Sequence, residues 1–336
     1  MALPNPSLLM QLALAYRSSA VLFAAVDLGV FTAVSETPRA VAEVARACGA
    51  DPDRLRYLLD ACVAEGLLTR DGDAYSNTPV TDAFLVRGGP AFSANGLKYA
   101  QDLYPAWNGL ADLMRTGRPP MPPQTILGDD KEKTRAFVYA MHERARGIGS
   151  VLPHLVNVAG RKKLLDVGGG PGTYSVALIQ QTPGLTSTVL DVPGVLEVAR
   201  ELIDASGVGD RVTLMPGDYL KSPFGHGYDV ALLSGMMHRE TADTCRMLLG
   251  KAFGALDPGG LVIVSDVFFD DDAKTKPPFA LYFALNMMLT SDEGSAHAVT
   301  EMARWMSGAG FRDVNVRELP KPNPHSLVVG TKPATS

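Results

Sequence analysis

The residues best placed to do chemistry begin at Lys162. The run Lys162-Lys163-Leu164-Leu165-Asp166-Val167-Gly168-Gly169-Gly170-Pro171-Gly172-Thr173-Tyr174-Ser175 joins a short apolar strand to a helical stretch reaching Gln181. A strand that turns through glycines into a helix leaves free backbone N–H groups at the helix N-terminus. With no Cβ in the way, a ligand can also come close to the main chain. This is nucleotide-binding geometry. The dinucleotide fingerprint G-x-G-x-x-G would need glycine at 173, where Thr173 stands, and no lysine follows as a phosphate-binding loop requires. A bare turn without a ligand is the plainer alternative, but glycine this dense costs backbone entropy without a use for it. A second apolar run, Ser187 to Leu190, closes on Asp191, one strand–helix–strand unit beyond Asp166. A carboxylate there can accept both hydroxyls of a ribose.

These groups need a scaffold, and the chain after Arg161 supplies one. Strands are predicted at 163–167, 187–191, 211–215, 228–233 and 260–266, with helices between them. Two more, 311–318 and 325–332, leave no room for a long helix, so the last strand should run antiparallel to its neighbour. The class is α/β, a doubly wound seven-stranded sheet, with binding at the carboxyl ends of the strands.

Upstream, residues 7–34 read as two very apolar helices, Ser7 to Ala15 and Ser18 to Leu28, with Gly29 as a cap. A dimer seam is the economical cover for them. Ala40 to Ala47 and Asp53 to Glu65 are further helices, the second capped by Asp51 and Pro52. Leu67 to Arg70 and Ala74 to Ser76 flank the turn Asp71-Gly72-Asp73. Helix, turn, helix and hairpin make a winged helix. A DNA-binding regulator is the alternative from another class, but Arg54 and Arg56 stand among Asp51, Asp53, Asp60 and Glu65, so that face is not basic. Residues 87–160 read as mostly helical, broken by Pro119-Pro120-Met121-Pro122-Pro123. The expected division is 1–100 for dimerisation, 101–160 for a helical linker with pocket helices, and 161–336 for the cofactor-binding domain.

Composition narrows the partners. With 31 basic and 36 acidic residues the net charge is −5, which argues against a nucleic-acid partner held by phosphate contacts. Cys48, Cys62 and Cys245 have no metal spacing and fit a reducing cytoplasm as core fillers. The apolar start carries Arg17 and Asp27, so neither a signal peptide nor a membrane-inserted helix is expected.

The glycine turn with Asp191-Val192-Pro193 resembles the S-adenosylmethionine-binding half of class I methyltransferases. It is most similar to the small-molecule O-methyltransferases that include the caffeate, acetylserotonin and hydroxyneurosporene enzymes, whose winged helix serves dimerisation. The resemblance covers most of the chain. It implies that S-adenosylmethionine lies against Gly168, Gly169, Gly170 and Asp191, with no metal. Asp218 in Gly217-Asp218-Tyr219 would accept the adenine amino group, Tyr219 would cover the ring, and Ser234 would border the cleft. His238, in Met236-Met237-His238-Arg239-Glu240, occupies the family's histidine position and would take the substrate's hydroxyl proton. A neutral imidazole suits that step. Asp266 matches its acidic partner, which fixes the tautomer.

Two features depart from the family. Arg239 puts a cation beside the base unless it turns outward or pairs with Glu240. The family's second acid, in Glu293-Gly294-Ser295-Ala296-His297-Ala298, is Ala296 here. Trp107, Met141, His142, Asn286 and Met287 match the segments around a small-molecule substrate pocket. The resemblance implies a homodimeric O-methyltransferase of secondary metabolism acting on an apolar aromatic or polyene hydroxyl. Arg239 and Ala296 favour, as alternative, a methyltransferase acting on carbon or another atom.

Overall fold

The computed structural model describes residues 5–121, 130–321 and 323–334. Two compact units emerge, Met1–Gln101 and Asp102–Ser336.

The first unit opens with α1 (Ser7–Leu14), α2 (Tyr16–Leu28) and α3 (Val30–Ala33). Gly29 closes α2 at φ +73°, a left-handed cap that glycine adopts without Cβ strain. β1 (Arg39–Ala40), α4 (Val41–Cys48) and α5 (Pro52–Ala64) follow. Asp51 Oδ1 caps α5 by accepting the Arg54 N–H at 2.9 Å. β2 (Leu68–Asp71) and β3 (Ala74–Asn77) form the predicted hairpin, and β1 adds to it in the order β1-β3-β2. α6 (Pro79–Leu85) comes next. Phe31, Leu59, Cys62, Leu68 and Tyr75 make the core of this winged-helix unit. α1 contributes nothing to it: Leu9 is 70% exposed and Leu12 65%. Ser7–Leu28 is long and apolar enough to cross a membrane by length and composition alone, Arg17 and Asp27 notwithstanding.

Beyond α7 (Ala94–Leu103) come a 3₁₀ turn at Tyr104–Gly109, α8 (Leu110–Thr116) and α9 (Lys131–Leu155). Of the predicted proline break, Pro122 and Pro123 lie outside the described residues. The alternation then runs β4 (Lys163–Val167), α10 (Thr173–Gln181), β5 (Thr186–Asp191), α11 (Pro193–Ala205), β6 (Val212–Pro216), β7 (Tyr228–Ser234), α12 (Ala242–Ala255) and β8 (Leu256–Asp266). It ends with β9 (Phe268–Phe269), α13 (Pro278–Thr290), β10 (His297–Ala298), α14 (Val299–Gly308), β11 (Arg312–Glu318) and β12 (Ser326–Thr331).

Seven of these strands form one sheet in the order β11-β12-β8-β7-β4-β5-β6. The neighbours from β8 to β6 are parallel. β12 runs antiparallel to both β11 and β8, as its short connection to β11 demands.

Residue parity sorts the core. Leu165, Val167, Leu233 and Val264 point to one face, against Leu248 and Leu249 of α12 and Met302 of α14. Leu164, Leu232, Ile263 and Leu327 point to the other, against Leu152 of α9 and Leu178 of α10. Central strands covered on both faces read as continuous apolar runs, which is why the sequence shows no alternation there. The parallel stacking brings the carboxyl ends of β4, β5, β7 and β8 to one edge, carrying Val167, Asp191, Ser234 and Asp266.

Candidate active site

The turn after β4 is built by left-handed backbone. Gly168 and Gly170 have φ of +61° and +53°, a region that side chains rarely tolerate. Gly169 is needed for space instead: a Cβ there would stand 2.7 Å from Asp166 Cγ and 2.8 Å from Val189 Cγ1. Asp191 holds the turn from the next strand. Its Oδ2 accepts the Gly170 N–H at 2.8 Å, and its Oδ1 accepts the N–H of Val192 at 2.7 Å. Each oxygen keeps lone-pair capacity for a further donor. Burial pushes this carboxyl up; the two backbone donors and the nearby Arg239 guanidinium pull it down without cancelling the rise. A half-buried carboxylate beside a glycine turn that opens a helix is a donor and acceptor set that fits a nucleoside.

Beneath the turn, Asp166 is wholly buried. Burial pushes it up to about 7, the Ser175 hydroxyl pulls it down, and Asp191 adds to the rise. Ser175 donates to Asp166 Oδ2 at 2.6 Å, and Oδ1 has no hydrogen-bond partner among the described residues.

The turn after β6 carries the next two expected residues. Asp218 Oδ1 accepts the Leu220 N–H, and its other oxygen pairs with Lys221 at 3.2 Å, so this carboxylate is partly engaged locally. The Tyr219 ring lies beside Gly168, with Cδ1 3.6 Å from where a Cβ would project. Its hydroxyl donates to Glu240 Oε1 at 2.6 Å. Glu240 is therefore taken by Tyr219. The Arg239 charge is near enough to lower both Asp191 and Tyr219. Ser234, at the end of β7, is buried. The Tyr174 phenol approaches its Oγ without completing a hydrogen bond.

A polar contact joins the turn after β7 to the end of β8. His238, on a 3₁₀ turn at Met237–Arg239, has Nδ1 2.7 Å from Asp266 Oδ1. Asp266 Oδ2 accepts the His238 backbone N–H at 3.1 Å, and Oδ1 also accepts the Val267 N–H. A carboxylate can only accept, so Nδ1 carries the hydrogen and Nε2 is left with a lone pair. Among the described residues nothing hydrogen-bonds Nε2. Burial would raise Asp266, but its interactions with the His238 and His325 imidazoles and the Val267 N–H outweigh it and hold the carboxyl below its ordinary range. The imidazole side chain is 13% exposed, and the Phe283 ring meets it edge-on at 4.8 Å. This is an imidazole with a fixed tautomer, one open nitrogen and an aromatic neighbour.

α13 carries the Phe283 ring that meets the imidazole. Phe283 and Met287 cluster with Val267, Phe269 and Ala296. Asn286 is half-buried on the same helix. Trp107 is half-buried on the 3₁₀ turn, which packs against α13. Met141 and His142 lie on α9, but His142 Nδ1 meets Thr173 Oγ1 at 2.8 Å. It therefore touches the first residue of α10, on the rim of the glycine turn. Sequence reasoning placed Phe283 in the apolar pocket but missed the contact of Thr173 with His142 and that of Glu240 with Tyr219, whose partners lie far away along the chain.

Known proteins share this architecture throughout. The O-methyltransferase domain family matches residues 107–312, and the O-methyltransferase dimerisation domain matches residues 10–87. The tetracenomycin polyketide synthesis 8-O-methyl transferase of Streptomyces glaucescens is 33% identical, over 98% of this chain and 97% of its own. Acetylserotonin O-methyltransferase of Bos taurus is 30% identical, over 93% and 94%. The solved structure of human N-acetylserotonin methyltransferase in complex with SAM superposes with a TM-score of 0.88 at 27% identity, covering 99% of this chain and 100% of that one. Family domains across both units, relatives matched over nearly their whole length, and a cleft that fits a nucleoside agree: this chain belongs to the S-adenosylmethionine-dependent O-methyltransferases.

Proposed function

We propose that the acceptor is a hydroxyl on an apolar, aromatic small molecule of secondary metabolism, and that His238 takes its proton. The observation that carries this reading is the 2.7 Å contact of His238 Nδ1 with Asp266, which leaves Nε2 as the open base beside Phe283. S-adenosylmethionine, when bound, supplies an electrophilic methyl group. Gly168, Gly169, Gly170 and Asp191 would hold it, with Tyr219, Asp218 and Ser234 along the cleft. Nε2 accepts the proton that the acceptor oxygen loses as it is methylated, and Asp266 stabilises the imidazolium that forms. The adaptable apolar wall of Phe283, Met287 and Met141 suits a ring system, with Asn286 as a polar fixed point and Trp107 and His142 at the margins. Relatives named for a tetracenomycin polyketide, a naphthoate and acetylserotonin support an aromatic acceptor. The absence of an acid at Ala296 favours a second reading, an acceptor already ionised or a carbon acid that needs less help from a base. Turnover of labelled cofactor against phenols, hydroxylated polyenes and carbon acids tests the choice. Methyl transfer to carbon acids alone would overturn the hydroxyl reading.

Asp191→Ala should bind S-adenosylhomocysteine about 100-fold more weakly, the loss of roughly two charge-assisted hydrogen bonds. The native protein's rise in melting temperature with that ligand should then largely vanish. Calorimetry with native affinity in the variant would remove Asp191 from the cofactor site.

The apolar helices at 7–34 we assign to a homodimer seam, with 1–100 as dimerisation domain, 161–336 as cofactor-binding domain and 101–160 contributing pocket helices. The exposed Leu8, Leu9, Met10 and Leu12 need cover, and the match to a dimerisation domain from residue 10 supports a second copy as that cover. Asp60 engages both Arg56 and Arg70, which weakens any DNA-binding reading of the winged helix. Three free thiols suit the cytoplasm: burial pushes Cys62 up to about 11 and Cys245 to about 12, so both are inert core fillers. Removing residues 1–34 should give monomers or aggregates in sedimentation. A monomeric full-length protein, or one that stays dispersed only in detergent, would contradict the seam.

A further inference from the structure

The segment that lacks the family's second acid still serves the base, by a different route. β10 pairs in parallel with β9, aligning His297 with Phe268, and so fixes residues 295–298 behind the turn that carries His238. Ala296 turns into the apolar cluster of Phe283 and Met287. His297 turns the other way and is 8% exposed. Its Nε2 lies 3.0 Å from the Glu240 carbonyl and 3.2 Å from that of Met237. Carbonyl oxygens only accept, so Nε2 carries a hydrogen shared between them. The backbone N–H of Ser295 donates to the carbonyl between, that of His238, at 2.8 Å. Cys245 Sγ, 3.4 Å from the Met237 carbonyl, and the Trp305 ring, 5.0 Å from the imidazole, close the space around His297. The carbonyls of Met237, His238 and Glu240 are thus all engaged from one side. Asp266 holds the His238 N–H and Nδ1 from the other.

We propose that His297 is a positioning residue for the base, fixing the main chain of the 237–240 turn where a carboxylate at 296 would have helped fix the ring. A ring tethered at Nδ1 alone can pivot about that contact. With its own backbone clamped on both sides, it keeps Nε2 aimed at one point. His297 does not touch substrate, because its Nε2 is consumed by the turn. The inference rests on the reading of His238 as general base.

The test compares His297→Leu, which keeps bulk without a donor, with His297→Gln, whose side-chain amide can donate to the same carbonyls. Rates are counted per S-adenosylhomocysteine-binding site, so a partly folded preparation still reads. His297→Leu should lower kcat by about 10- to 100-fold, the scale of a misaimed catalytic group, with KM and cofactor affinity near native. His297→Gln should recover most of the rate. In a His238→Ala background, His297→Leu should cost nothing more, since its effect passes through the base. Three outcomes would overturn the inference: a native rate in His297→Leu, an equal loss in both variants, or a loss that persists without His238. A native rate in His238→Ala would remove the base reading and this inference together. A slow His238→Ala beside a native His297→Leu would remove only the inference.

Discussion

Replacing His238 with alanine lowers kcat by about 10²–10⁴-fold, the contribution of a positioned general base, and leaves S-adenosylhomocysteine binding near native. The split follows from where the side chain sits. His238 reaches inward from the end of β7 toward Phe283 and Asp266, whereas the residues proposed to hold the nucleoside lie on the turns after β4 and β5. An acceptor hydroxyl becomes a much stronger acid as its new bond forms, so the proton must leave within the same step. Nε2 is placed to receive it because Asp266 has already fixed the hydrogen on Nδ1. Asp266→Asn should cost less than His238→Ala on the rate. It still offers one acceptor to Nδ1 but no longer stabilises the imidazolium. It should also weaken the fold, because Asp266 is buried and accepts from two backbone N–H groups. Single-turnover methyl transfer by both variants, with cofactor titrations alongside, reads the two effects separately. A near-native rate for His238→Ala would leave proximity alone, or an acceptor that needs no base, as the better account.

Asp166→Asn gains stability relative to the native protein as pH rises from 4.5 to 8. The native carboxyl sits at about 7, against 3.8 for an unperturbed one, because it is buried beneath the glycine turn. The sign follows from proton counting. Between those two values the folded chain keeps a proton that the unfolded chain releases, so native stability falls as pH rises. The slope is about 1.4 kcal/mol per unit at most, which amounts to about 3 kcal/mol between pH 4.5 and pH 8. Asparagine carries no such proton and is flat over the same range. Its amide brings its own cost at the Oδ1 position, which has no partner, so the absolute offset between the two proteins is not diagnostic. The change of that offset with pH is. Denaturant unfolding of both proteins at pH 4.5 and pH 8 measures it, and an offset that stays constant would mean Asp166 is ionised throughout.

The sequence by itself determined most of the elements and the glycine turn after β4, because both are written locally. A run of apolar residues four to seven long, bounded by glycine or a charge, specifies a buried strand wherever it is later placed. The glycine turn and Asp191 are joined by one strand–helix–strand unit, so the contact of Gly170 with Asp191 is nearly implied by the chain's own path. Gly29, Asp51 and the Asp71-Gly72-Asp73 turn are equally local, and the structure puts a cap or a turn at each.

Tertiary structure decided what depends on which strands become neighbours. β1, β9 and β10 are two residues long, too short to carry a periodic pattern, and exist only because a distant partner offers its edge. The sequence left Arg239 with two fates, turned away or paired with Glu240. Folding gave Glu240 to the Tyr219 hydroxyl from the turn after β6, and the Arg239 charge is near enough to lower Asp191. His142, matched to a substrate helix, meets Thr173 because α9 packs along α10. The sequence assigns His297 no role beside Ala296; the pairing of β9 with β10 brings its Nε2 to the carbonyls of Met237 and Glu240. A hydrogen bond needs its donor and acceptor within about 3 Å, and for residues 57 or 60 positions apart only the packed sheet sets that distance.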